Sequence, residues 1–199
     1  MSAPRIEALA LPGLPELRAG DDLAALVAVA LADAGIVVRD DDIVVVASKA
    51  VAKVEGRSVP AVDRGAAIAE QSVRCVAERM LADGRVTRVV QSRAGPVLAA
   101  AGVDASDVET GTVLLLPVDP DTSARRLRAD LGGATGARPA VVVSDTSGRP
   151  WRDGVTDFAL GAAGLTCLST CCCKSSRLPA CPRHPMPTTL IRPANPRWP

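Results

Sequence analysis

Residues 140–157 read AVVVSDTSGRPWRDGVTD. The first four are apolar and mostly β-branched, which favours a buried strand. The run gives way at Ser144 to Asp145, Thr146, Ser147 and Gly148. Side chains just past the end of a buried strand are held rigidly and reach solvent, where α/β proteins place their chemistry. A carboxylate beside two or three hydroxyls suits a hard divalent cation, which takes oxygen ligands and keeps some waters. Residues 148–150 then turn the chain, and Arg149, Trp151 and Arg152 add two fixed cations and a large anchor. A plain polar loop, with Asp145 capping the next segment, is the competing reading.

Upstream, apolar and polar segments alternate. Residues 6–11 can form a strand, followed by a loop, PGLPELRAG, with two prolines. Residues 21–34 are the clearest helix: Leu23, Leu26, Val27, Ala30 and Leu31 recur at helical spacing. Asp21 or Asp22 can cap its start, and Gly35 sits where a helix ends. Residues 43–47 read as a buried strand running into the basic stretch SKAVAKVEGR, and residues 62–81 as a second helix with Ile68, Ser72, Val76 and Met80 on one side. Residues 86–92 and 96–101 flank Arg93-Ala94-Gly95, a hairpin turn. After the polar loop GVDASDVETG comes a strand at 112–116. A helix then runs from Asp119-Pro120-Asp121 to Leu131, with Gly132-Gly133 at its end. Residues 140–143 close the ordered pattern. Interleaved strands and helices with a hairpin imply an α/β or α+β class with a mixed sheet.

The chain has 199 residues, enough for a real core. Aromatics make up only 2% of it, so that core must be built from Ala, Val and Leu. A net charge of +1 implies no strong pull toward nucleic acid or membrane. No apolar run reaches the roughly 18 residues of a membrane helix. The first twenty residues lack a basic start followed by an apolar core, so no signal peptide is expected, and the location implied is cytoplasmic.

Neither G-x-x-x-x-G-K-[ST] nor G-x-G-x-x-G occurs, so a nucleotide would have to be bound another way. Three strand ends or loops could converge. The first holds Ser48, Lys49 and Lys53, where a lysine charge suits a phosphate; an ordinary solvated helix start is the bland alternative. The second holds Asp104, Ser106 and Asp107, which could equally satisfy local backbone groups. The third is Asp145-Thr146. Two acidic loops facing a basic one would make a metal–phosphate site, because the cation offsets the repulsion between carboxylate and phosphate.

The long stretch SDTSGRPWRDGVTDFALGAAG resembles the signature of the coenzyme F420:L-glutamate ligases, the F420-0:γ-glutamyl ligases. LPGLPELRAGDDL is similar to that family's N-terminal loop, where Leu14, Pro15, Glu16 and Leu17 match the segment lying against a guanine nucleotide. VVVASKAVAKVEGR resembles its strand and basic turn, where Ser48 and Lys53 match nucleotide-contacting positions. AAAGVDASDV resembles its metal loop, where Asp104 matches a ligand and Asp107 stands near the nucleotide where the family usually has Asn. In SDT, Asp145 and Thr146 match ligands of two divalent ions. LLLPVDPDTSARRLRADL is similar to the helix between those loops. The likeness covers residues 6–165 as one domain. It implies a reaction: GTP phosphorylates a carboxylate of the F420 precursor, and the amine of L-glutamate attacks the acyl phosphate to form an amide, with γ-linked glutamates added in later rounds. It also implies Mg2+ or Mn2+, with K+ as a further cation, and a homodimer. A metal-dependent phosphohydrolase and a non-catalytic remnant are the rival readings.

Residues 166–199, TCLSTCCCKSSRLPACPRHPMPTTLIRPANPRWP, hold seven Pro and five Cys, no acidic residue and no apolar period. Zinc held by Cys167, Cys171, Cys172, Cys173, Cys181 and His184 fits poorly, because structural zinc uses spaced cysteine pairs. The stretch reads better as out-of-frame sequence, disordered because proline at this density blocks helix and sheet. On that reading the ligase domain is incomplete and its activity impaired.

Overall fold

The computed structural model describes residues 6–61, 63–80, 84, 86–106, 108–148 and 153–166. Asp22 starts the first helix, α1 (Leu23–Asp33), its side chain accepting from the Ala25 amide at 2.9 Å. Leu23, Ala24, Val27 and Ala30 are buried along one stripe, the spacing a core-facing helix requires. Gly35, at φ 68°, ends the turn in the left-handed region that glycine enters at little cost.

The element that positions everything else is a three-stranded sheet of β1 (Ile43–Ala47), β7 (Ala140–Gly148) and β8 (Val155–Ala163). β1 and β7 are parallel, with Ile43 opposite Ala140 and Ala47 opposite Ser144. β7 and β8 are antiparallel, with Thr146 opposite Asp157. Parallel strands need a long crossover. Here it includes α2 (Ser48–Val54), β2 (Ser58–Pro60), α3 (Arg64–Glu70), β3 (Ser72–Met80), β4 (Val86–Ser92), β5 (Val97–Ala99), β6 (Thr112–Leu114) and α4 (Pro120–Thr135). The strands of the crossover form two smaller antiparallel sheets, β3-β4-β5 and β2-β6. The fold is therefore mixed α/β, as the interleaving and the hairpin implied.

Two cores result. Leu23, Val27, Val46, Val51, Ala124, Leu127, Leu131, Val141 and Val143 pack α1, α2 and α4 onto the large sheet. Val90, Ala101, Val103, Val113 and Leu115 form the second, with Ala67 and Ile68 of α3 against it. Both are aliphatic, as a chain with 2% aromatics requires.

Four sequence expectations are corrected. Residues 6–11 form no strand: no neighbouring strand pairs with them, and an unpaired run gains no ladder bonds. Residues 62–81 are not one helix. α3 stops at Glu70 and β3 follows, with irregularities between Ser72 and Arg74 and between Cys75 and Ala77. A four-residue spacing fits a strand's period of two as well as a helix, so the stripe could not tell them apart. Of the expected stripe, Val76 and Met80 face solvent at 46% and 75% exposure, while Ile68 packs against the second core.

Gly132-Gly133 does not end α4. The helix runs on to Thr135, and Gly136 caps it at φ 75°. Finally, order does not close at Val143: β7 continues through the signature to Gly148, and β8 follows. The hydroxyl-rich half of β7 gains ladder bonds to β8 that its own composition does not announce.

Among the described residues no helix is long and apolar enough to cross a membrane. The proposed zinc cysteines of the tail and His184 lie outside the described residues.

Candidate active site

The parallel register decides where the chemistry sits. With Ala47 opposite Ser144, the next residues are Ser48, which opens α2, and Asp145 on β7. Ser48 is 5% exposed, and its hydroxyl favours the ionised form of the neighbouring Asp145 carboxyl.

Asp145 also accepts from the Thr146 amide at 2.9 Å. Burial pushes its carboxyl above the usual carboxylate range; the Thr146 amide and the Ser48 hydroxyl pull the other way, and the charges of Asp104 and Asp157 push it up further. The Thr146 hydroxyl donates to Asp157 at 2.6 Å. Asp157 was quoted in the signature but given no role from sequence. Its signal was available: on a strand antiparallel to SDT, alternation from Val155 puts Thr156 and Asp157 on opposite faces.

Asp104 is pinned by backbone bonds in both directions with Leu114, its amide at 2.9 Å and its carbonyl at 2.8 Å. The approach to it is unusual: Ala100 and Ala101 have φ 53° and 55°, and Gly102 follows at 73°. L-residues other than glycine adopt that region at a cost, which persists only where surrounding packing holds it. Ala101 is 2% exposed, and a Cβ on Gly102 would lie 2.6 Å from Leu116 Cδ1. The Arg64 guanidinium fixes the Val103 carbonyl at 2.8 Å.

Facing Asp104 is Lys49, whose Nζ lies 2.9 Å from Oδ2 and donates to Ser106 Oγ at 2.7 Å. Partial burial alone would push the Asp104 carboxyl up, yet hydrogen bonds from Lys49 and Ser106, and the Lys49 charge, hold it below its ordinary value. The three loops picked out from sequence do converge. Asp104, Asp145, Thr146, Ser147 and Lys49 line one cavity of about 410 Å3. Leu14, Pro15, Glu16 and Leu17 line an adjoining cleft of about 800 Å3 with Lys49, Lys53 and Glu109. There Lys53 Nζ lies 3.4 Å from Glu16 Oε1. Asp107, Arg149, Trp151 and Arg152 lie outside the described residues.

Could the cavity hold a divalent cation? Its donors are two carboxylates and hydroxyls, all hard oxygens. The Asp145 carboxyl is destabilised by its acidic neighbours, and Asp104 already holds a cationic group, the Lys49 ammonium. Among the described residues no three His, Cys, Asp or Glu side chains form a closed metal cage. The set therefore fits an ion that keeps waters or takes further oxygens from a substrate, as Mg2+ does.

The comparisons with known proteins agree with this architecture. The family model described as F420-0:Gamma-glutamyl ligase matches residues 13–180. The chain belongs to that family. It is 39% identical over 181 residues to the coenzyme F420:L-glutamate ligase of Halorubrum lacusprofundi, covering 80% of this chain and 67% of that protein. It is 37% identical over 175 residues to the enzyme of that name from Archaeoglobus fulgidus, covering 81% and 68%. Against the Methanothermobacter thermautotrophicus enzyme it is 37% identical over 175 residues, covering 81% and 69%. Within the F420-0:gamma-glutamyl ligase family, then, this chain builds its acidic cavity from the end of β7 and the loop before β6, and its basic wall from α2.

Proposed function

We propose that this chain is a GTP-dependent ligase that joins the carboxylate of an F420 precursor to the amine of L-glutamate and then extends the product with γ-linked glutamates. The observation that carries the reading is the convergence of Asp104, Asp145 and Thr146 on one cavity that shares Lys49 with a basic cleft. The relatives' name, coenzyme F420:L-glutamate ligase, supplies the substrate class.

In this reaction the γ-phosphoryl group of GTP passes to the precursor carboxylate, giving an acyl phosphate and GDP. The glutamate amine then attacks the acyl carbon and inorganic phosphate leaves. Phosphoryl transfer depends mainly on positioning and charge neutralisation. Asp104, Asp145 and Thr146 would hold Mg2+ or Mn2+, which offsets the charge of the phosphoryl oxygens when bound. Asp157 orients Thr146, and the Thr146 amide orients Asp145. Lys53, whose Nζ lies 3.4 Å from Glu16, would meet a nucleotide phosphate, and Leu14, Pro15 and Leu17 would form a wall for the base. K+ as a further cation and a homodimeric assembly complete the reading.

The test is glutamate-dependent turnover. The chain is incubated with GTP, Mn2+, the precursor and L-glutamate, with phosphate release and product mass followed together. The expected result is a product heavier by one glutamyl unit, phosphate release that needs both glutamate and precursor, and loss of both signals in Asp145→Asn. Phosphate release indifferent to glutamate would replace this reading with a metal-dependent phosphohydrolase. Absence of both signals in the unsubstituted chain would instead support an activity impaired by the proline- and cysteine-rich residues 166–199.

A further inference from the structure

Lys49 occupies an odd position for a residue whose only task is to meet a phosphate. Its ammonium is 2.9 Å from Asp104 Oδ2 and also bonded to Ser106, whose amide and hydroxyl both bond Asp104. It is the one lysine common to the acidic cavity and the adjoining cleft. Its backbone is fixed in the first turn of α2, while its side chain remains 32% exposed at the end of a flexible four-carbon stem.

A cation bound to Asp104 would sit about 2.0–2.6 Å from a carboxylate oxygen. Left in place, the Lys49 nitrogen would then be within about 5 Å of a doubly charged ion, where like charges repel strongly even at a protein surface. The ammonium and the divalent ion therefore compete for the Asp104 carboxylate.

We propose that Lys49 is an exchangeable counter-ion for Asp104. Its ammonium balances the carboxylate while no divalent cation is bound; cation binding displaces it, and the freed charge turns into the cleft to receive an anionic group. Lys49 is thus a positioning residue that couples occupancy of the cavity to the cleft's affinity for anions, since each favours the same rearranged side chain. The inference rests on the reading of Asp104 as a metal ligand, and the experiment separates the two.

Mn2+ is titrated alone, without nucleotide, into the full chain and into Lys49→Met and Lys49→Arg, with free Mn2+ read by electron paramagnetic resonance. Removing a competing cation tightens Mn2+ binding, so Lys49→Met is expected to bind about three- to tenfold tighter. Lys49→Arg, which keeps the charge, is expected to show no such gain. A lysine that merely braced the Asp104 loop would give the opposite sign, weaker binding in Lys49→Met. In parallel, the unsubstituted chain is treated with an amine-acylating reagent, and modification of Lys49 is followed by mass spectrometry. Its rate is expected to rise when Mn2+ is added. Unchanged or weaker Mn2+ binding by Lys49→Met, or a labelling rate indifferent to Mn2+, overturns the exchange. An unsubstituted chain that binds no Mn2+ overturns the metal reading beneath it.

Discussion

Replacing Gly161 by alanine tests the contact that seats α4 on the large sheet. An ideal Cβ on Gly161 would fall against the Pro120 carbonyl group and 2.6 Å from the Asp121 nitrogen. Non-bonded heavy atoms settle near 3.5–4.0 Å, so the first turn of α4 and β8 must part by roughly 1 Å. Both sides of that contact are backbone, so no rotamer change relieves it. Separation also strains the bond from the Ala162 amide to Asp121 Oδ1, now 2.9 Å. Overpacking costs about 1–3 kcal/mol and a lost hydrogen bond about 0.5–1.5 kcal/mol, giving roughly 2–4 kcal/mol in all. For a domain of this size, 3 kcal/mol lowers Tm by about 6–12 °C. Gly133→Ala is the control. Gly133 lies inside α4 with nothing within 4 Å of its would-be Cβ, so alanine there should stabilise by about 0.5–1 kcal/mol. Urea titration and thermal melting of the two variants should therefore move in opposite directions. A Gly161→Ala chain as stable as its parent would refute the close approach of β8 to α4.

Two further expectations concern the site. Lys53→Ala should raise the apparent KM for GTP about tenfold or more, the loss of one charge-assisted bond of roughly 1.5–3 kcal/mol; steady-state kinetics with normal GTP dependence would remove Lys53 from the nucleotide site. Asp157→Ala frees the Thr146 hydroxyl from its 2.6 Å acceptor and should weaken Mn2+ binding about tenfold or more, as loss of an outer-shell partner does. Calorimetry showing unchanged affinity would mean that Thr146 needs no such orientation.

Local patterns were legible where one residue type has one physical use. Asp21 and Asp22 before an apolar stripe marked α1, Pro120 after Asp119 marked the start of α4, and the β-branched run Ile43–Ala47 marked a strand. The families of loops that carry chemistry were legible too, because carboxylates beside hydroxyls and lysines after a strand announce themselves as residue types. What could not be read was anything set by a partner distant in the chain. β3 looked helical because a four-residue spacing fits either period, and only pairing with β4 decides between them. The second half of β7 looked like a loop because polar residues become a strand only when β8 supplies the ladder. Gly132-Gly133 looked like a stop because helix propensity is local, whereas Ala124, Leu127 and Leu131 anchor α4 through long-range burial.

The same division runs through the site. Sequence alone singled out Asp104, Asp145, Thr146 and Lys53, because carboxylates, hydroxyls and lysines just past apolar runs are visible as residue types. Only the tertiary structure could put Lys49 on Asp104, Ser48 beside Asp145 and Asp157 on Thr146. Each of those pairings depends on strand register or loop packing, and distance in space is not encoded in spacing along the chain.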